Sequence, residues 1–243
     1  MNSSLRVRSI LQTVCAVLAL AACQACGAGE PPPKAPERTA KPDGDAPSPL
    51  SVSAEIGGLN VEKVDKTFQS ALSDFQRCID DGAKRVEFLG GSVSFFVKID
   101  SHGKVDHAHL EKSTIGDRET EKCMLDTLRG KRWPKPVGGE HGLARKSFDF
   151  DPPNDVRAPT AWDGERVSDG VAKLSKKLSA CKRDTRGAFE ATLYVGTDGS
   201  VMAASVTPPD EAGESDVDCL VGALKGASLP SPGSWPAKVT FSL

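Results

Sequence analysis

From Val64 to Cys78, in VDKTFQSALSDFQRC, apolar residues return every three or four positions at Val64, Phe68, Phe75 and Cys78. That spacing predicts an amphipathic helix with one buried stripe and a cysteine on it. VSDGVAKLSKKLSAC, Val167 to Cys181, repeats the pattern 103 residues later, with Val167, Val171, Leu178 and Cys181 on the matching positions. After Gly91 the period becomes two. Val93, Phe95, Val97 and Ile99 alternate with more polar residues, as do Phe189, Ala191, Leu193 and Val195. This is the period of a half-buried strand. His102-Gly103 and Asp198-Gly199 supply turns, and second strands begin at Val105 and Val201. Here the copies lie 96 residues apart, so the first carries about seven extra residues, within DGAKRVEFLGG, between helix and strand. At the same spacing Cys123 meets Cys219, Leu128 meets Leu224, and LRGKRWPKP meets LKGASLPSP.

Each copy therefore reads helix, strand, strand, helix, strand, the last strand being RKSFDFDP in one and AKVTFSL in the other. The expected fold is α+β: two tandem αββαβ modules, each an antiparallel three-stranded sheet with two helices on one face. Gly130 and Gly226 are expected to end the second helix in a left-handed cap, with the following prolines preventing its continuation. Pro134 and Pro136 recur as Pro230 and Pro232, so they belong to the fold rather than to a ligand motif. Lys131, Arg132 and Lys135 become Ala227, Ser228 and Ser231, which confines this basic cluster to the first copy and makes it a candidate binding surface.

The N-terminus has a different pattern. Arg6 and Arg8 precede an apolar run, Ile10 to Leu20, that is too short to span a bilayer and leads into Leu20-Ala21-Ala22-Cys23. The order resembles a bacterial lipoprotein signal, which implies cleavage after Ala22 and acylation of Cys23. Gln24 after the cysteine, rather than Asp, implies the outer membrane, with the protein facing the periplasm. The chain has 31 Lys and Arg against 33 Asp and Glu; without Arg6 and Arg8 the balance is 29 to 33. A mildly acidic protein is disfavoured as a general nucleic-acid binder. GAGEPPPKAPERTAKPDGDAPSPL, residues 27 to 50, lacks apolar residues for a core and reads as a tether. The expected layout is signal 1–22, anchored linker 23–56, first module 57–152, linker 153–164 and second module 165–243.

An exported protein meets an oxidising compartment, so its cysteines are disulfide candidates first. Cys78, Cys123, Cys181 and Cys219 allow three connectivities. The repeat selects Cys78–Cys123 and Cys181–Cys219, each tying first helix to second within one copy. Closing a loop of about 40 residues contributes up to roughly 4 kcal/mol in the chain-entropy model. Cys26 is left as the odd thiol, and Cys23-x-x-Cys26 is not a redox pair if Cys23 is acylated.

The alternating apolar residues, SHGKV or DGSV, the KSTIG stretch, the second helix and the WPKP motif together resemble the C-terminal domain of TonB-type proteins. The cysteine on each helix is closer to the C-terminal domain of the AgmX/PglI gliding-motility proteins. The resemblance covers residues 57 to 151 and, with TPPDEAG where Ser-Thr-Ile-Gly would stand, 165 to 243. It implies a non-catalytic module, without cofactor, that binds an envelope partner protein, TonB's own domain doing so by strand addition to a sheet edge. The partner is expected at a sheet edge, the last strands lying at residues 146–150 and 238–242, or along the cleft between the copies. With a lipid anchor and no retained transmembrane helix, direct coupling to an inner-membrane proton channel is not expected.

Competing chemistry is thin. His107-x-His109 follows His102, and alternate strand residues share a face, so a metal site is geometrically open. The second copy has Asp198, Ala203 and Ser205 in their places, which favours plain surface histidines. Trp133, Trp162 and Trp235 keep a peptidoglycan or carbohydrate binder open as an alternative, although Trp133 aligns with Leu229 and suits a core. No phosphate-binding glycine loop, nucleophile elbow or helical zinc-protease motif is present. A periplasmic enzyme is the least supported class.

Overall fold

The computed structural model describes residues 54–152, 155–183 and 187–243. The first half runs β1 (Ala54–Ile56), α1 (Val61–Gln69), α2 (Leu72–Ala83), β2 (Gly91–Asp100), β3 (Val105–Ser113), α3 (Arg118–Gly130) and β4 (Gly139–Phe150). The second runs β5 (Thr160–Trp162), α4 (Glu165–Ala172), α5 (Ser175–Cys181), β6 (Glu190–Val195), β7 (Val201–Thr207), α6 (Glu214–Lys225) and β8 (Ala237–Ser242). The class is α+β, and the strand orders β1-β4-β2-β3 and β5-β8-β6-β7 match.

The alternating stretches do what their period demands. Val93, Phe95, Val97 and Ile99 are buried on one face of β2, and Ala191, Leu193 and Val195 on one face of β6. α2 and α5 close over these faces. Phe75 stacks on Phe95 with ring centroids 5.1 Å apart. Asn60 and Asp117 accept N–H groups of Lys63 and Thr120, capping α1 and α3.

Three expectations need correction. Each sheet has four strands, because β1 adds in parallel to β4 and β5 to β8. The last strand would otherwise present a bare edge of N–H and C=O groups, and three residues laid alongside satisfy part of it. The segments read as linkers, 23–56 and 153–164, thus each contain a strand. The first helix of each copy is broken, at Ser70–Ala71 and at Lys173–Leu174. The third correction concerns the glycines. Gly130 is the last residue of α3 and Gly226 has φ −87°, so neither cap is left-handed. Lys131 N–H to Leu128 C=O (3.2 Å) and Gly226 N–H to Ala223 C=O (3.2 Å) close these ends with three-residue turns that need no positive φ.

Positive φ is needed at the β-turns, 80° at Gly103 and 82° at Gly199. Each turn glycine's carbonyl accepts the N–H that opens the proline motif, from Trp133 and Leu229, at 3.0 Å in both halves. A Cβ on either glycine would lie 2.4 Å from the Trp133 carbonyl oxygen or 2.1 Å from that of Leu229. WPKP and LPSP are the straps that fasten the helix exit to this turn. The disulfides join α2 to α3 through Cys78–Cys123, and α5 to α6 through Cys181–Cys219, with Cα separations of 5.8 and 5.5 Å. This is the pairing the repeat selected. Among the described residues the two halves lie in one compact unit and meet along a seam.

Candidate functional site

The clearest concavity lies in the second half, and substitution along the repeat explains it. Phe68, Leu72 and Phe75 of α1–α2 correspond to Val171, Ser175 and Leu178 of α4–α5. In the first half Phe68, Phe75, Phe148 and Phe150 fill the space between helices and β4. Ring centroids are 5.9 Å apart for Phe68–Phe148, 5.5 Å for Phe75–Phe148 and 6.4 Å for Phe75–Phe150. In the second half Leu243 takes the ladder place of Phe148, its N–H bonding Phe189 C=O at 2.8 Å. The smaller residues leave a mainly apolar groove of ≈ 670 Å³, lined by Val171, Ser175, Leu178, Lys182, Phe241 and Leu243 among others. Its volume suits a small ligand or a few side chains, roughly 300–1,000 Å³ being usual. Lys182 lines it together with Glu165; Lys182 belongs to a stretch, Lys173 to Arg183, that carries four lysines and an arginine without an acid, where the matching stretch in the first half has Asp74 and Asp80 around Arg77. Arg183 lies near Asp216, whereas the four lysines form no ion pair among the described residues. The ammonium of Lys182 sits 5.6 Å over the Phe189 ring.

The sheet edges are partly taken. β1 pairs with β4 at Gly139 and His141, while β5 pairs with β8 from Ala237 to Val239. Residues 143–150 of β4 and 240–242 of β8 have no strand on that side among the described residues. Of the expected binding edges, 146–150 is open, but positions 238 and 239 are already occupied by the chain itself.

The seam uses residues that sequence reasoning did not single out. Arg118 of α3 reaches Glu214 (3.0 Å) and Asp218 (2.8 Å), and Lys122 reaches Asp218 (3.3 Å). Arg118 matches Glu214, and Lys122 matches Asp218, at the 96-residue spacing. Equivalent positions therefore meet across the seam, as across a two-fold axis, with opposite charges. The first half's extra residues close the seam on one side only. Phe88 packs on Tyr194 (5.6 Å) and Trp235 (5.9 Å), while Gly90 C=O accepts from Tyr194 O–H (3.2 Å) and Lys238 Nζ (2.6 Å). Tyr194 and Lys238 lie on the face of the second sheet turned away from its own helices, so β6 is buried on both faces.

Burial leaves marks on the seam's titratable groups. Glu121 is fully buried, accepts from the Ser113 hydroxyl at 2.5 Å and is pushed up to about 7 by desolvation. Lys238 is pushed down to about 8, again by burial. The Tyr194 hydroxyl is raised for the same reason. At the α2 end, Arg85 pairs with Asp117, tying the extension to the cap of α3.

The residues expected to bind are distributed. Lys131 is committed to packing, donating to Ser70 C=O (2.9 Å) and Asp74 (2.8 Å), and its hydrogen bond holds the Asp74 carboxyl below the usual range. Arg132 and Lys135 are exposed. His102 stays in its turn, its N–H bonding Asp100 at 2.8 Å. His107 and His109 share a face of β3, with rings 5.2 Å apart. His109 lies on Phe96 at 4.8 Å, and desolvation together with neighbouring His107 lowers its pKa. Among the described residues no group of three His, Cys, Asp or Glu is placed to hold a metal.

Trp133 is 3% exposed, packs edge-on against Phe68 and donates to Leu128 C=O at 3.1 Å. Trp235 donates to Ala158 C=O at 3.0 Å, and Trp162 packs against the second core. Cys23 and Cys26 lie outside the described residues. No helix among the described residues is long and apolar enough to cross a membrane. Compared with family models, curated proteins and solved structures, the chain finds no match in any of the three.

Proposed function

We propose that this chain is a non-catalytic cell-envelope lipoprotein, anchored through Cys23, whose two TonB C-terminal-like halves bind an envelope partner protein. The observation that carries the reading is the outer edge of the last strand. In both halves that edge takes a parallel strand, β1 or β5, and in both it continues past the added strand without a partner among the described residues. An edge that accepts a strand from its own chain has the geometry for strand addition by another. The groove beside β8 adds an apolar surface next to such an edge. The glycan-binding alternative draws little from the tryptophans, since Trp133 is core and Trp162 and Trp235 are packed against core residues.

The test is in-cell photo-crosslinking from positions 143–150 and 240–242, run beside retention of the protein on purified sacculi. A discrete protein adduct from either edge is the expected result. Specific retention by sacculi with no protein adduct overturns the reading. Cys23→Ser is expected to move the protein from the membrane to the soluble fraction.

A further inference from the structure

β1 reaches only as far as His141, which leaves residues 143–150 of β4 without a strand alongside among the described residues. Neither bulge nor proline blunts that stretch. Its register against β2 runs unbroken from Phe150 to His141, whereas the β2–β3 and β6–β7 ladders shift. His141 C=O accepts from Gly57 N–H on the β1 side at 2.6 Å, and Ser92, opposite Asp149, turns its C=O away from β4 to Thr114 N–H at 2.8 Å. Backbone direction alternates along a strand, so Leu143, Arg145, Ser147 and Asp149 aim N–H and C=O outward.

Side chains follow the same alternation. Arg145, Ser147 and Asp149 stand on the face away from the helices, beside Phe96, Ser94 and Ser92. Ala144, Lys146, Phe148 and Phe150 stand on the helix side, where both rings are only half-buried. Arg145 meets Glu111 through Nε at 2.6 Å, and Asp149 forms no ion pair among the described residues.

We propose that β4 pairs edge to edge with β4 of a second copy of this chain, antiparallel and about a two-fold axis at Ser147. The inference rests on the reading that the open edges accept strands from other chains, and it names the chain that takes this one. Self-complementarity favours a second copy over an unrelated strand. With Ser147 opposite Ser147, the outward N–H and C=O groups of the two strands meet, and Arg145 of each copy opposes Asp149 of the other. Unlike charges at directly opposed positions stabilise an antiparallel pair. On the helix side Phe150 opposes Ala144, and Phe148 opposes Lys146, whose ammonium is held by Asp65 at 2.6 Å and whose methylene stem is left to cover the ring. The pairing covers the two rings that a single chain leaves half exposed.

The axis provides the test, because two Cα atoms facing each other in a hydrogen-bonded pair lie about 5.5 Å apart, within disulfide reach. The full chain carrying Cys26→Ser and Ser147→Cys is oxidised mildly in detergent and resolved on a non-reducing gel. A disulfide-linked dimer is expected. Ser92→Cys in the same background, on the same face but one strand inward, is expected to stay monomeric. Adding Asp149→Arg to the Ser147→Cys chain should lower the linked fraction at least five-fold, and Arg145→Asp with Asp149→Arg should restore most of it. Near-UV circular dichroism and intact native disulfides verify that each variant is folded. Equal linking of the Ser92→Cys and Ser147→Cys chains, or linking that ignores the charge reversal, overturns the inference. Either result beside an in-cell adduct between positions 143–150 and a different protein removes only the self-pairing and leaves partner binding standing; an adduct at twice the mass of the chain is the result expected of self-pairing.

Discussion

The two halves share a strand order, a pair of staples and a glycine-fastened proline strap, yet one is packed with rings and the other is hollowed. Phe68 and Phe75 in the first half become Val171 and Leu178 in the second, and the difference reappears as open volume. A second contrast is the extension after α2. With it, the first half covers the back of its neighbour's sheet through Phe88 and Gly90; without it, the second half leaves the back of the first sheet at Ser94 and Phe96 only partly covered. One strand order appears twice. Divergence made one copy the more fully packed partner and gave the other a groove.

The sharpest way to break that comparison is to hollow the first half. Phe75→Ala removes a fully buried ring that touches Phe95, Phe148 and Phe150, and about 3–5 kcal/mol of stability is expected to go with it. Leu178→Ala, at the matching position, borders space that is already open and should cost only about 2 kcal/mol. Denaturant unfolding of the two variants side by side measures the difference. Equal losses would mean that the groove is not the counterpart of the aromatic core.

The seam offers a pH-dependent test. The carboxyl of Glu121 is raised from 4.5 to about 7, so the folded chain holds a proton that the unfolded chain releases. This contribution is fully present below pH 4.5 and is lost as pH rises through about 7. Glu121→Gln should flatten the fall in stability across that window and make the protein more stable by about 1–3 kcal/mol near pH 7.5. Unfolding free energies measured from pH 4 to 8 check the slope.

A smaller effect is expected at the charged pairs. Arg118→Ala leaves Glu214 without its cation in a largely buried site and should cost about 2 kcal/mol, whereas Lys122→Ala, in an exposed pair, should cost less than about 1. Arg118→Glu combined with Glu214→Arg should recover part of the Arg118→Glu loss, because equivalent positions meet there. No recovery in the double variant would argue against a two-fold-like seam.

Much of this frame was legible in the residues. Helical and strand periods are set by which side chains must leave water, and echoes of Cys at 103 residues and of Cys, Leu, Gly and Pro at 96 residues identify the disulfide partners before any contact is known. The short strands β1 and β5 were not legible, since three residues carry no period and their role is to satisfy an edge formed far along the chain. Nor was the commitment of Lys131 to Asp74, because a lysine near a proline motif looks the same whether it faces solvent or a helix. His102, His107 and His109 illustrate the same limit. Strand alternation correctly put the last two on one face, and only packing showed Phe96 against His109 and His102 left in its turn.

By itself the sequence determined the longer helices and strands and their order, since these follow from residue spacing within one copy, and the α2–α3 and α5–α6 staples, which follow from laying one copy on the other. The tertiary structure alone decided that the halves pack as one body, that Glu121 and Lys238 are deprived of water, and that the second half keeps a groove. These depend on which surfaces meet and how completely side chains from distant segments fill the space between them, and neither quantity is encoded in the period of any single stretch.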